Sequence, residues 1–276
     1  MKFSVLMSVY KNEKAEFFTA AVDSVMNQSA KPDQIVLVRD GQVPEELAKA
    51  IDAILLKYNG VITYIPLEEN GGLGNALRVG LEKCAHPLVA RMDTDDLAEP
   101  DRFINQLKCF EEDQSLDICG GDIAEFMDSP DKIISYRIVP KTDDEIKRVI
   151  KNRNPFNHMT VMFKKQSVLA VGSYEPFYLF EDWYLWLRLY LSGCKFKNVD
   201  KILCRVRVSG MSARRGGYKY FKSCKKLLKF MKKNKIIGFF SYVKSCIIRF
   251  CGYVLIPNKL RAYAYKKLLR KQNAEN

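Results

Sequence analysis

Histidine is scarce in this chain, with two copies in 276 residues, and its eight cysteines nowhere form a Cys-x-x-Cys pair. Without a His/Cys cluster a zinc site is not expected, and scattered thiols without a disulfide framework fit a reducing cytoplasm. No secretory leader is evident, because Met1-Lys2 runs straight into a strand pattern. The longest apolar stretch, Ile236 to Ile256, is broken by Lys244 and Arg249. Two central cations, each costing a few kcal/mol (about 3) at mid-bilayer, argue against a simple transmembrane span. Internal repeats and low-complexity linkers are absent too, so we expect one catalytic unit with a sizeable core and an appended tail.

What is present alternates. Lys2–Tyr10, Gln34–Val38 and Val61–Ile65 read as strands, and helical patterns with Phe17, Phe18, Ala21, Val22, Val25 and Met26, then Leu47, Ile51, Ile54 and Leu55, lie between them. Strands alternating with helices predict an α/β fold, a mostly parallel sheet flanked by helices. After a fourth apolar run, Pro87-Leu88-Val89-Ala90, comes the tetrad Asp93-Thr94-Asp95-Asp96. Ligands of open α/β sheets bind at the carboxyl ends of the strands. Carboxylates gathered there repel one another or share a divalent cation, which completes its shell with phosphate oxygens and water. The tetrad therefore suggests a metal-bridged diphosphate ligand. Asp40-Gly41 closes the second strand, and Gly71, Gly72 and Gly74 would let backbone approach an anion. That glycine cluster does not follow the first strand, as a dinucleotide fingerprint does, and lacks the lysine of a P-loop.

Further on, Glu181-Asp182 opens an amphipathic helix that carries Trp183 and Trp186. A carboxylate there either complements the helix dipole or serves as a general base. Trp183 either stacks on a sugar or fills core, and His158 is either a structural histidine or a ligand contact. Thr142-Asp143-Asp144-Glu145 matches a capping box. Asp122 reads as a surface-loop residue, with an approach to an acceptor as the alternative.

Six pieces in order resemble the inverting family 2 glycosyltransferases of the A-type, nucleotide-sugar-binding fold, in their bacterial surface-polysaccharide branch. They are Val5–Tyr10, Ile35–Gly41, Asn70–Gly74, Arg91–Asp96, Asn157–Phe163 and Glu181–Arg188. The resemblance implies that Val9 and Tyr10 line the base pocket, that Asp40 bonds the nucleoside, and that Asp93 sits at the ribose. It implies Mn2+ or Mg2+ on Asp95, with Asp93 as a second ligand, and Asp182 as general base. Gly72, Arg78 and Thr94 join the donor site, while Glu181, Trp183 and His158 are candidate acceptor contacts. Arg39 and Arg78 stand where many relatives carry Asp and Asn. The implied reaction moves a sugar from a nucleoside diphosphate, UDP foremost, to a lipid-linked or growing surface polysaccharide. The alternatives are a nucleotidyltransferase on the same kind of sheet, or a non-catalytic binder with a degenerate nucleotide fold.

From Arg214 to Asn276 there are 18 lysines and arginines against one acidic residue, Glu275, while the whole chain carries a net charge of +13. The first 213 residues are therefore slightly acidic. Tyr220, Phe221, Cys224, Leu227, Leu228 and Met231 share one helical face amid lysines, the pattern of a basic amphipathic helix. We expect a donor-binding part at 1–97, an acceptor-binding part at 98–213, and a tail at 214–276 that lies on an anionic membrane, with nucleic acid the less favoured partner. That would place the protein at the cytoplasmic face of the cell membrane.

Overall fold

The computed structural model describes residues 1–208 and 215–257, together with Leu260 and Arg270. The rest of the basic tail lies outside the described residues. The opening strands β1 (Phe3–Tyr10), β2 (Gln34–Asp40), β3 (Ile62–Pro66) and β4 (Leu88–Asp93) are parallel, joined by α1 (Ala15–Met26), α2 (Glu45–Lys57) and α3 (Leu73–Lys83). They line up as β3-β2-β1-β4, so the chain steps outward from β1 and then returns to its other side. The order reverses between β1 and β4, and the crevice at such a switch point is where this kind of sheet binds ligands. Register sets Tyr10 opposite Asp40, and Ser8 opposite Asp93, along that carboxyl edge.

The sheet continues through strands of mixed length, β6 and β9 being its longest. After β5 (Leu97–Ala98) and α4 (Arg102–Glu112) come β6 (Ile118–Phe126) and β7 (Ile133–Arg137), then α5 (Asp143–Val149), β8 (Met162–Lys164), α6 (Lys165–Ala170), α7 (Glu181–Leu191) and β9 (Phe196–Arg207). β8 runs antiparallel between β4 and β6, β9 lies parallel to β6, and β5 and β7 are antiparallel additions. The expected capping box of Thr142 and Glu145 is formed. Asp122 is not on a surface loop: it is buried in β6, paired with Lys141 and accepting from Val139 N.

Period-two alternation divides the core. Val5, Met7, Val9, Ile35 and Leu37 face a cluster with α1, α2 and α4, whereas Leu6, Val36, Val38 and Val89 face one with α3 and α7. Tyr10, Asp40, Arg91 and Asp93 share parity with the second set, so they sit on the face covered by α7.

The tail begins with α8 (Gly217–Lys233), followed by α9 (Phe239–Phe250) and a π-helical turn, Cys251–Leu255. The apolar stripe expected on α8 exists, but protein covers it. Tyr220, Cys224, Leu227, Leu228 and Met231 join the α7-side core, with Tyr220 stacked 4.9 Å from Phe180 and Phe230 4.9 Å from Tyr184. Each of Leu227, Leu228 and Met231 gains about 1.5–3 kcal/mol from that burial. Turning the stripe toward a bilayer would forfeit the same packing, so α8 presents mainly its lysine face outward. α9 differs, since none of its residues is buried. Among the described residues, no helix is long and apolar enough to cross a membrane.

Candidate active site

The strand-end acids come from β4 and the loop behind it. Asp93 is the last residue of β4, and carboxylate oxygens of Asp93, Asp95 and Asp96 all lie within 4.8 Å of one another. Asp93 pairs with Arg91, whose buried guanidinium leaves Nε and Nη1 without a partner. Burial alone would lower the Arg91 pKa, but the charge and hydrogen bond of Asp93 raise it, so the cation is held. Asp96 is buried and accepts from Arg207 N at 2.9 Å. Its pKa is driven well above the ordinary carboxylate value, first by burial and then by Asp95 and Asp93. Asp95 is pushed up to about 7 by burial, with the charges of Asp93 and Glu13 adding to it. Three carboxyls this close, with one guanidinium among them, fit a cation such as Mg2+ or Mn2+.

Thr94 turns back rather than toward this cluster. Its hydroxyl donates to Ser8 O at 3.2 Å and to Glu13 Oε2 at 2.9 Å. Glu13, which residue patterns alone did not single out, thereby comes within the field of Asp93 and Asp95. Its own pKa is raised, burial being the largest cause.

Across the crevice, Asp40 is buried at the end of β2 and clamps the glycine loop. Its Oδ1 accepts from Gly71 N at 2.8 Å and its Oδ2 from Asn70 Nδ2 at 3.1 Å. Gly41 has φ +83°, and a Cβ there would meet Asn70 N at 2.7 Å, so this close approach requires glycine. Gly72, at φ +81°, caps α3 with open space beside it. Arg78 is exposed one turn into α3 and donates to Asn75 Oδ1 at 2.9 Å. Tyr10 is half-buried at the crevice. Val9 is fully buried in the α1-side core, so its side chain does not line the crevice.

The second acidic group opens α7. Asp182 Oδ1 accepts from Trp183 N and Oδ2 from Asn154 Nδ2, both at 2.6 Å. Burial raises the Asp182 pKa, while those two bonds and the charges of Arg215 and Arg137 oppose the rise. Glu181 is pushed up to about 7, chiefly by burial and then by Asp182. The charges of Arg91 and Asp93 also reach Glu181, so the two acidic groups share one field. Tyr174 is buried in that field, and its hydroxyl lies 3.0 Å from His158 Nε2.

Two expected acceptor contacts lie in the core instead. His158 is packed against Tyr174 and Trp186, and burial, with Arg91 nearby, holds it far below its ordinary pKa and therefore neutral. Trp183 is 4% exposed, donates its indole N–H to Ile150 O at 3.0 Å, and has no face open to a sugar. Both residue types suit carbohydrate binding, but His158 beneath α7 and Trp183 on its buried face serve packing.

Comparison with known proteins agrees with this geometry. The family model "Glycosyl transferase family 2" matches residues 4–174. An uncharacterized glycosyltransferase of Haemophilus influenzae is 39% identical over 98% of this chain and 100% of its own length. A UDP-Gal:alpha-D-GlcNAc-diphosphoundecaprenol beta-1,3-galactosyltransferase of Escherichia coli is 36% identical over 98% of this chain and 97% of its own. The amylovoran biosynthesis glycosyltransferase AmsE of Erwinia amylovora is 37% identical over 96% and 98%. Among solved structures, S. aureus TarS 1-349 in complex with UDP-GlcNAc superposes with a TM-score of 0.68, covering 98% of this chain and 76% of that one. At 17% identity that likeness is one of fold.

Proposed function

The chain belongs to glycosyl transferase family 2, and on that premise we propose that it transfers a sugar, with inversion, from a UDP-sugar to a hydroxyl of a lipid-linked or growing surface polysaccharide. One observation carries this reading: two acidic groups of opposite provision share one electrostatic field, the crowded Asp93-Asp95-Asp96 and the hydrogen-bonded Asp182 beside Glu181. The name of the Escherichia coli relative supports both UDP and a diphosphate-lipid acceptor. Membership of the family sets nucleotidyl transfer aside.

In the proposed mechanism the donor lies along the carboxyl edge between β1 and β4. Tyr10 and the Asp40-clamped glycine loop border its nucleoside, and Arg78 stands at the entrance. Asp182 takes the proton from the acceptor hydroxyl, and the freed oxygen forms a bond to the anomeric carbon from the face opposite the diphosphate. The bond from that carbon to the diphosphate breaks, and its electron pair leaves with the diphosphate. Asn154 and Trp183 N each hold one Asp182 oxygen, favouring the ionised carboxylate against burial and aiming it. Mn2+ or Mg2+, when held by Asp95 and Asp93, supplies positive charge to the leaving diphosphate. The decisive test is a thermal-shift panel of nucleoside diphosphates and nucleotide-sugars with and without manganese. Stabilisation by uridine ligands that needs manganese, and is absent in Asp95→Asn, is expected; a flat panel from folded wild type would sink the reading.

The tail has a further role in this proposal, at the inner face of the membrane. α9 exposes Phe240 (87%), Val243, Ile247 and Ile248, with Leu255 beyond, and α8 displays Lys222, Lys225, Lys229 and Lys232 beside it. An apolar stripe within a cationic border suits an anionic bilayer, where each cation contributes about 1 kcal/mol. The apolar stripe is what favours lipid over nucleic acid. Phe240→Glu with Ile247→Glu should release the protein from anionic vesicles in a sedimentation assay, and added salt should weaken wild-type binding. Full retention by the double variant would refute this role for α9.

A further inference from the structure

Arg249 is the one cation of α9 that points inward, and its contacts converge behind the proposed base. Its Nη2 donates to Asn152 O at 2.6 Å, its Nη1 lies 3.1 Å from Cys224 Sγ on α8, and its guanidinium sits 5.1 Å from the centroid of the Trp183 ring. That last distance is within cation–π range. Trp183 in turn bonds Ile150 O at 3.0 Å. Ile150 and Asn152 belong to the turn that leads, two residues later, to Asn154, whose amide holds Asp182 Oδ2. Trp183 N holds the other oxygen.

A closed ring results. Arg249 grips the turn at Asn152, the turn is tied to Trp183 through Ile150, and Trp183 stacks beneath Arg249. The two donors that aim the Asp182 carboxylate are both members of this ring or of its turn. Simple anchoring of α9 would need only one of these contacts, and Tyr242 and Cys246, with Tyr253 of the π-helical turn after it, already pack this end of the chain onto the core.

We propose that Arg249 is a positioning residue for Asp182, fixing the Asn154 turn and Trp183 so that the carboxylate meets the acceptor hydroxyl in line. The inference rests on Asp182 being the base. Transfer depends steeply on such alignment, and an error near 1 Å costs about 10²-fold in rate. Donor binding, which occurs on the β1–β4 side, is independent of the ring.

The test uses the full chain, a UDP-sugar and a lipid-linked acceptor, comparing wild type with Arg249→Gln, Arg249→Lys, Trp183→Phe and Asp182→Asn. Arg249→Gln is expected to lower kcat by about 10- to 100-fold, with donor KM, melting temperature and vesicle sedimentation near wild type. Arg249→Lys should recover part of the rate, because an ammonium still reaches Asn152 O but lacks the planar stack. Wild-type kcat in folded Arg249→Gln overturns the inference, as does a loss that tracks the melting temperature without rescue by lysine. Should Arg249→Gln fail to fold, Trp183→Phe decides, since it keeps an aromatic ring but removes the indole bond to Ile150 O and part of the surface under Arg249; unchanged kcat there overturns the proposal. If Asp182→Asn is inactive while Arg249→Gln is normal, this inference alone fails. If Asp182→Asn stays active, the base assignment itself falls.

Discussion

The two acidic groups carry the same kind of charge into one crevice, yet the fold equips them differently. At the end of β4, the Asp95 carboxyl has burial, Asp93 and Glu13 against its ionisation, with a backbone hydrogen bond and then Arg91 opposing them, and its pKa is pushed up to about 7. At the start of α7, burial raises the Asp182 pKa too, but two short hydrogen bonds and the charges of Arg215 and Arg137 oppose the rise. A carboxylate left short of positive charge is a place for a cation to enter. One whose ionised form is supported by fixed donors, and whose pKa burial still raises, is a place to put a proton. The difference teaches that the role of an acid here follows from its donors rather than from its distance to the ligand.

The sharpest way to break the comparison is Asp182→Asn. It preserves shape and removes the proton acceptor, so kcat should fall by about 10³-fold, within the range assigned to general bases. Uridine-ligand stabilisation in a thermal melt should persist, because the proposed donor site lies at the other group; its loss would mean that Asp182 binds donor. Within the β4 group the effects should be graded. Asp95→Asn should cost about 10²-fold in rate through lost charge on the leaving group. Asp96→Asn, whose carboxylate is already spoken for by Arg207 N, should cost roughly tenfold. Equal losses at both positions, measured at saturating manganese, would erase the distinction between an open ligand and a tethered one.

The parallel half was legible in the sequence because its β-branched runs end in polar loops, and β1, β2 and β4 form where those runs lie. Asp93, Asp95 and Asp182 stood out for the same reason, as acids at element ends. Arg91 did not, since an arginine after Leu88-Val89-Ala90 reads as the end of a strand, whereas β4 carries it inward to Asp93. Glu13 and Asn154 reach the site through contacts 81 and 28 residues away in sequence, which no local pattern records. The helix α8 shows a different limit. Its amphipathic stripe was plain, but a stripe suits a bilayer and a protein core equally, and Phe177, Phe180 and Tyr184, which settle the matter, come from a segment without clear periodicity up to α7.

The smallest expected effect concerns Glu181, the member of the α7 group with the least help. Burial first, and Asp182 second, push its pKa up to about 7, while that of Asp182 is raised as well. Groups this close titrate as a pair. A base works only when ionised, so the rate should decline as pH falls through the window between about 7 and the ordinary carboxylate value of 4.5. Glu181→Gln removes one negative neighbour, lowers the pKa left to Asp182, and should move that acid limb downward while leaving the rate at pH 8 within about twofold. Stability should shift in a related way. A carboxyl with a raised folded pKa binds more protons folded than unfolded across that window, so wild-type stability declines as pH rises through it. Glu181→Gln lacks that decline from position 181, and its melting temperature relative to wild type should be higher at pH 8 than at pH 5. An unmoved acid limb would show that the two carboxyls do not share a field, and the contrast between the two acidic groups would then rest on Asp182 alone.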